Sequence, residues 1–179
     1  MNILTTKKKI CLMVDIVAIA LLIILDQVTK FMAVKYLQDK DSIVLIPDVL
    51  ELTFLKNRGA AFGILQDQKV FFVMVAVMIM VVIAYVLFQL PMEKKYNIMQ
   101  VILIMIASGA AGNMIDRVRN DYVVDFISFV LINFPIFNVA DIYVTVSTIL
   151  FIILFLFYYK ENDFNFLSFK QQKKYREFK

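Results

Sequence analysis

Two aspartates stand among hydrophobic neighbours: Asp125 in "YVVDFI" and Asp141 in "FNVAD", the latter directly before the run IYVTVSTILFIILFLFYY. Two carboxylates held close together do not both ionise easily, so one keeps a proton while the other stays charged. The charged member can take a proton from water, and the protonated member can donate one to a peptide carbonyl. Aspartyl hydrolysis of this kind needs no histidine, thiol or metal. The chain has no histidine and a single cysteine, Cys11. This excludes histidine-based triads, histidine-ligated zinc, internal disulfides and thiolate metal clusters. No cofactor and no metal are expected.

Other polar residues have spacings that point to a shared site. Asp26 and Lys30 are i, i+4 with the acid first, the favourable order for a helical ion pair. Asn113 lies i, i+3 and i, i+4 from Asp116 and Arg117, which puts all three on one helical face. Asn138 is placed to cap a helix with Asp141 in its first turn. Plainer readings exist for both acids. Asp141 can serve only to stabilise a helix N-terminus through the macrodipole, and Asp125 can be a loop acid paired with Arg117 or Arg119.

The elements that would carry these residues are membrane helices. The chain has 179 residues, is 61% hydrophobic and has a mean hydropathy of +0.78, too apolar for an ordinary soluble fold. Four apolar runs stand out: 10–25, 70–90, 98–112 and 142–159. A helix needs about 20 apolar residues to cross a core of roughly 30 Å. The second run meets that, and the other three fall short by a few residues. Counting about 20 residues inward from Ile98, Ile10 and Tyr159 carries those helices through Asn113, Asp116 and Arg117, past Asp26 toward Lys30, and to Asp141. Three helices are thus completed by polar motifs at one common depth. Ionisable groups there are costly and face a protein interior or a wet cavity.

In a four-pass arrangement 11 of the 19 basic residues fall on the side of the termini, with Arg117 and Arg119 opposite. The long 26–69 segment carries six basic residues matched by six acids, and long loops weigh less in the positive-inside rule. Both termini are therefore expected in the cytoplasm, with 26–69 and 113–140 facing outward. The basic, apolar N-terminus lacks a small-residue cleavage site and reads as a retained first helix. The net charge of +4 is better matched to anionic lipid headgroups than to nucleic acid. Within 26–69, DSIVLIPDVLELTFLKNRG reads as two short strands around Pro47 and Asp48. The fold class is membrane all-α: four transmembrane helices with a small extracytoplasmic β-sheet cradle, about 41–65, between helices one and two. One four-helix domain would span 1–159, with a basic and aromatic cytoplasmic tail at 160–179. The four glycines, Gly59, Gly63, Gly109 and Gly112, all sit in outward motifs, and SGAAG has the small-xxx-small spacing of close helix packing.

The motifs DQVTK, KNRGAAFGIL, SGAAGNMIDR, YVVDFI and FNVADIYV follow one another in the order found in lipoprotein signal peptidases (signal peptidase II), the bacterial intramembrane aspartyl peptidases. The sequence resembles that family from Asp26 to about Ser147. The resemblance implies that Asp125 and Asp141 are the catalytic dyad, supported by Asp26, Lys30, Asn57, Gly59, Asn113, Asp116, Arg117 and Asn138. It implies diacylglyceryl-modified prolipoproteins as substrates, cut before the lipidated cysteine with the cleavage-site backbone against 43–63. It also implies membrane lipids as surroundings, globomycin-type inhibitors, and a multi-pass monomer in the bacterial inner or plasma membrane with its site facing outward. Ser108 stands where the family usually has a second glycine, and the tail after Tyr159 is longer than the family needs. A proton-coupled transporter using Asp26, Asp116, Asp125 and Asp141 is the alternative, although no internal repeat supports it. A serine–lysine hydrolase using Ser108 or Ser128 with Lys30 is a more distant one.

Overall fold

A computed structural model describes residues 5–59 and 64–168. Gly63, the 60–63 part of the cradle and the 169–179 part of the tail lie outside the described residues. Among those described, four helices are long and apolar enough to cross a bilayer: α1 (Thr6–Leu37), α2 (Lys69–Gln89), α3 (Asn97–Asn120) and α4 (Val139–Phe157). The chain is a multi-pass membrane protein. The polar motifs do complete the short apolar runs, and α1 continues beyond Lys30 to Leu37.

The most buried of the four is α3, which packs against the other three. Its small residues explain how. A Cβ at Gly109 would lie 2.5 Å from the Ala140 carbonyl oxygen, and one at Gly112 would lie 2.5 Å from Asp26 Oδ2. The SGAAG segment therefore lets α3 approach the first turn of α4 and the polar face of α1. At the opposite end Lys8 Nζ donates to the carbonyls of Leu87 and Leu90 at 2.8 and 2.7 Å, placing a cation at the C-terminus of α2. Asp15, inside the first apolar run, is buried and accepts from Gln100 Nε2 at 2.6 Å. The start of the tail turns back as a 3-10 segment, Glu161–Leu167, whose Phe164 and Phe166 pack on the cluster around Tyr96, Met99 and Tyr159.

The two expected strands are present as β1 (Ile43–Ile46) and β2 (Leu50–Asn57), turning at Asp48 with φ 58°. A third strand joins them, β3 (Val123–Phe129), from the connection between α3 and α4. The order is β1-β2-β3, all antiparallel. Its inner residues Val124 and Phe126 pack with Ala33 and Leu37 near the end of α1. The sheet is thus seated on the helix that carries Asp26 and Lys30.

Candidate active site

Asp125 is not a loop acid paired with Arg117 or Arg119. It lies within β3, 1% exposed, opposite Leu55 of β2. Asn57 opposes Val123, so Asn57 and Asp125 are diagonal neighbours on one face of the sheet. Asn57 Nδ2 donates to Asp125 Oδ2 at 2.8 Å, and Asn57 Oδ1 accepts the Gly59 N–H at 2.9 Å.

Asp141 reaches the same place because the chain doubles back after β3. The Phe137 N–H donates to the Ile127 carbonyl at 3.0 Å, and the Phe126 and Ile127 N–H groups donate to the Phe137 carbonyl. This return sets Asn138 beside Asp125 and starts α4 there. Asn138 caps the helix as expected. Its Oδ1 accepts the Asp141 N–H at 3.0 Å, while Asp141 Oδ2 accepts the Asn138 N–H at 3.1 Å, a reciprocal capping box. The same side chain donates from Nδ2 to Asp125 Oδ1 at 2.6 Å. Asn138, fully buried, therefore touches both aspartates. Asp141 is more than a helix-end charge.

Behind the aspartates lies a second layer of polar contacts. Asn113 Nδ2 donates to Asp141 Oδ1 at 2.8 Å, and Asn113 Oδ1 accepts from Asn138 Nδ2 at 3.1 Å and Lys30 Nζ at 2.8 Å. Lys30, 2% exposed, also pairs with Asp26 at 3.0 Å and Asp116 at 3.1 Å. Arg117 donates to the Gly59 carbonyl at 3.0 Å and lies over the Phe72 ring, 4.4 Å from its centroid. A Cβ on Gly59 would fall 2.6 Å from the Ile64 carbonyl oxygen, which accounts for glycine at that turn. All ten residues singled out in the sequence thus belong to one connected region. One participant is not singled out in the sequence, although it lies in the DQVTK motif: Gln27 Nε2 donates to Asp116 Oδ1, Asp26 Oδ2 and the Gly112 carbonyl at 2.9, 3.2 and 3.3 Å. Its place there, one residue after Asp26, is the hint.

Asp125 and Asp141 line one hollow of about 480 Å³, together with Asn57, Gly59, Asn113 and Arg117. Its remaining wall is apolar: Phe72, Val123, Phe134, Pro135, Ile136, Phe137, Ile142 and Val146, with Thr145. Burial, and then the negative charge of Asp141, push the Asp125 carboxyl up to about 7, against the pull of the Asn57 and Asn138 hydrogen bonds. A carboxyl of that kind holds or gives up a proton near neutral pH. Ser108 is buried away from the hollow, donating to the Ile104 carbonyl at 2.7 Å.

Comparison with known proteins bears on the family and the fold. Residues 18–157 match the family model described as signal peptidase (SPase) II. The lipoprotein signal peptidase of Caldanaerobacter subterraneus subsp. tengcongensis is 45% identical over 143 residues, covering 79% of this chain and 95% of the relative. That of Streptococcus pyogenes serotype M5 is 43% identical over 150 residues, covering 83% and 95%. A bacterial membrane enzyme solved in meso at 2.3 Å superimposes with a TM-score of 0.71 and 37% identity, covering 80% of this chain and 87% of that one. With its four spanning helices, its sheet and the order of its polar motifs, this chain belongs to the signal peptidase II family.

Proposed function

We propose that the chain removes the signal peptide from diacylglyceryl-modified prolipoproteins, cutting on the amino side of the lipidated cysteine, with Asp125 and Asp141 as its catalytic dyad. One observation carries this reading: a buried carboxyl, Asp125, and a half-buried one, Asp141, are joined through Asn138 and line one largely apolar hollow, and Asp125 titrates near neutrality. The dyad titrates as a unit and shares one proton. Its ionised member takes a proton from the attacking water, and its protonated member donates to the scissile carbonyl oxygen. The water oxygen bonds to the carbonyl carbon, the C–N bond breaks as the proton taken from water passes to the leaving amine, and the proton given to the carbonyl oxygen returns to the dyad as the acid product forms. Asn57 and Asn113 hold the dyad, while Arg117 and the Gly59 turn orient the substrate backbone against β2. The apolar wall receives the signal helix and the acyl chains.

In this reading both termini are cytoplasmic and the hollow opens toward the outer face, in keeping with the basic residues at 7–9, 94–95 and 160–179. Residues 1–159 form the enzyme, acting as a monomer in the bacterial plasma membrane, and 160–179 a cytoplasmic tail. The test is cleavage of a lipidated precursor by purified protein, with and without globomycin, by the parent and by Asp125→Asn and Asp141→Asn. Both variants are expected to insert normally and to be inert. A variant cleaving at more than about a tenth of the parent rate would remove that residue as acid or base, since tenfold is only about 1.4 kcal/mol of barrier.

A further inference from the structure

Lys30 sits between two buried carboxylates, Asp26 and Asp116, which are 0% and 3% exposed. Each carboxylate also accepts one main-chain N–H from another element. Asp116 Oδ2 accepts from Val124 at 3.0 Å, and Asp26 Oδ1 accepts from Ala140 at 3.0 Å. Val124 immediately precedes Asp125, and Ala140 immediately precedes Asp141. The two grips therefore close on the backbone next to each dyad aspartate. Lys30 joins them, and Gln27 Nε2 spans the same two carboxylates, sharing Asp26 Oδ2 with Lys30 and taking the other oxygen of Asp116.

We infer that Asp26, Lys30 and Asp116 form a clasp of positioning residues that sets the separation of Asp125 and Asp141 through the main chain. Neither carboxylate of the clasp lines the hollow or touches a dyad side chain. Besides the clasp, β3 and the first turn of α4 are joined by the fold-back of Phe137 onto Ile127 and by the Asn138 bridge, both on the side of the hollow, and the clasp adds a tie from α1 and α3. The asparagines orient the carboxyl groups, and the clasp locates the backbones that bear them. An error of about 1 Å in such a placement can lower a rate by about a hundredfold. This inference rests on the aspartate-dyad reading above.

Position 116 allows a clean test. One oxygen, Oδ2, receives both the Val124 N–H and Lys30, and Oδ1 receives only Gln27. An asparagine there can keep its oxygen on Val124 and Lys30 and gives up only the Gln27 contact, while Gln27 Nε2 stays on Asp26 and the Gly112 carbonyl. Asp116→Asn and Asp116→Leu remove the same charge, but only asparagine keeps the grip on Val124. Purified full-length variants are compared on a lipidated precursor across pH, with rates per active site counted by globomycin titration. Asp116→Asn is expected within about threefold of the parent kcat, with an unchanged pH profile. Asp116→Leu is expected to lose about thirtyfold or more in kcat with KM within about twofold. Its bell-shaped profile should also narrow, because carboxylates held farther apart repel less and their two apparent pKa values draw together. Mere loss of folded enzyme would lower the amplitude and leave the width alone. Should the leucine variant not fold, Asp116→Ala takes its place and must show the same loss. Equal kcat and equal width for the asparagine and apolar variants would overturn the clasp. Activity in Asp125→Asn, run alongside, would instead overturn the dyad reading beneath it.

Discussion

Replacing Asp125 with asparagine should change how stability depends on pH, and the effect can be sized from the structure. The carboxyl is 1% exposed and moves from an ordinary 3.8 to about 7 on folding. Between those values the folded chain holds a proton that the unfolded chain has released, so parent stability falls as pH rises through that window. At about 1.4 kcal/mol for each tenfold in proton affinity, the change from 3.8 to about 7 sets a ceiling of about 4 kcal/mol. The Asp125→Asn side chain has no such proton, and the substitution removes this fall. It does lose one acceptor, because the new NH2 must face a donor amide, Asn57 Nδ2 or Asn138 Nδ2. That costs about 1–3 kcal/mol at every pH. The variant should therefore melt below the parent near pH 4 and above it near pH 8. The swing between these extremes is about 3–4 kcal/mol, on the order of 10 °C in melting temperature. Thermal unfolding of both proteins in one detergent, from pH 4 to pH 8.5, measures it. Parallel melting curves, with a swing below about 1 kcal/mol, would refute the raised carboxyl and weaken the shared-proton mechanism with it.

Further outcomes follow from single contacts. Gly112→Ala drives a methyl group into Asp26 Oδ2 and toward the Ala140 side chain, and should lower both melting temperature and cleavage rate, whereas Ala111→Gly should cost only about 1 kcal/mol of helix propensity. Cys11→Ser and Ser108→Gly should each keep most activity, since neither group lines the hollow; loss of cleavage at normal protein level would revive a thiol or serine nucleophile. A precursor with an unmodified cysteine should be cut far more slowly even at saturation, because remote binding energy is used to place the scissile bond. Equal turnover of lipidated and unlipidated precursors would remove the substrate assignment.

The helices and most of the polar site are legible in the sequence, because membrane depth acts as a ruler. Asp26, Asn113 and Asp141 fall where three apolar runs end, and the i, i+4 pair and the helix cap are local geometry. Strand β3 is another matter. VVDFISF alternates poorly, and its inner face is set by β2, more than sixty residues earlier, and by the end of α1. No local pattern reports such a partner, so the sequence singles out Asp125 as a dyad candidate but leaves a loop acid as its plainer reading until the sheet is seen. Gln27 escapes for a similar reason, because its single amide acts across α1 and α3. The fold-back of Phe164 and Phe166 is hidden because an aromatic, basic tail has the composition of an interfacial segment whether or not it packs on the helices.

The bond from Ala140 to Asp26 joins residues 114 apart, which has a consequence for biogenesis. At about 5–20 residues per second, a ribosome makes Ala140 about 6–23 s after Asp26. Throughout that interval the first span must reside in or near the bilayer with a carboxylate at the end of its apolar run. An unpaired charge costs up to about 2.5–3.5 kcal/mol on insertion scales. Lys30, one turn along the same helix, is synthesised almost at once and meets Asp26 at 3.0 Å. Helix one thus brings its own counter-ion through the translocon and needs no later helix to neutralise it. The site is assembled only when the fourth span arrives. On the dyad proposed above, a chain that has not yet made Asp141 is expected to insert but not to cleave, so activity waits for the fourth span.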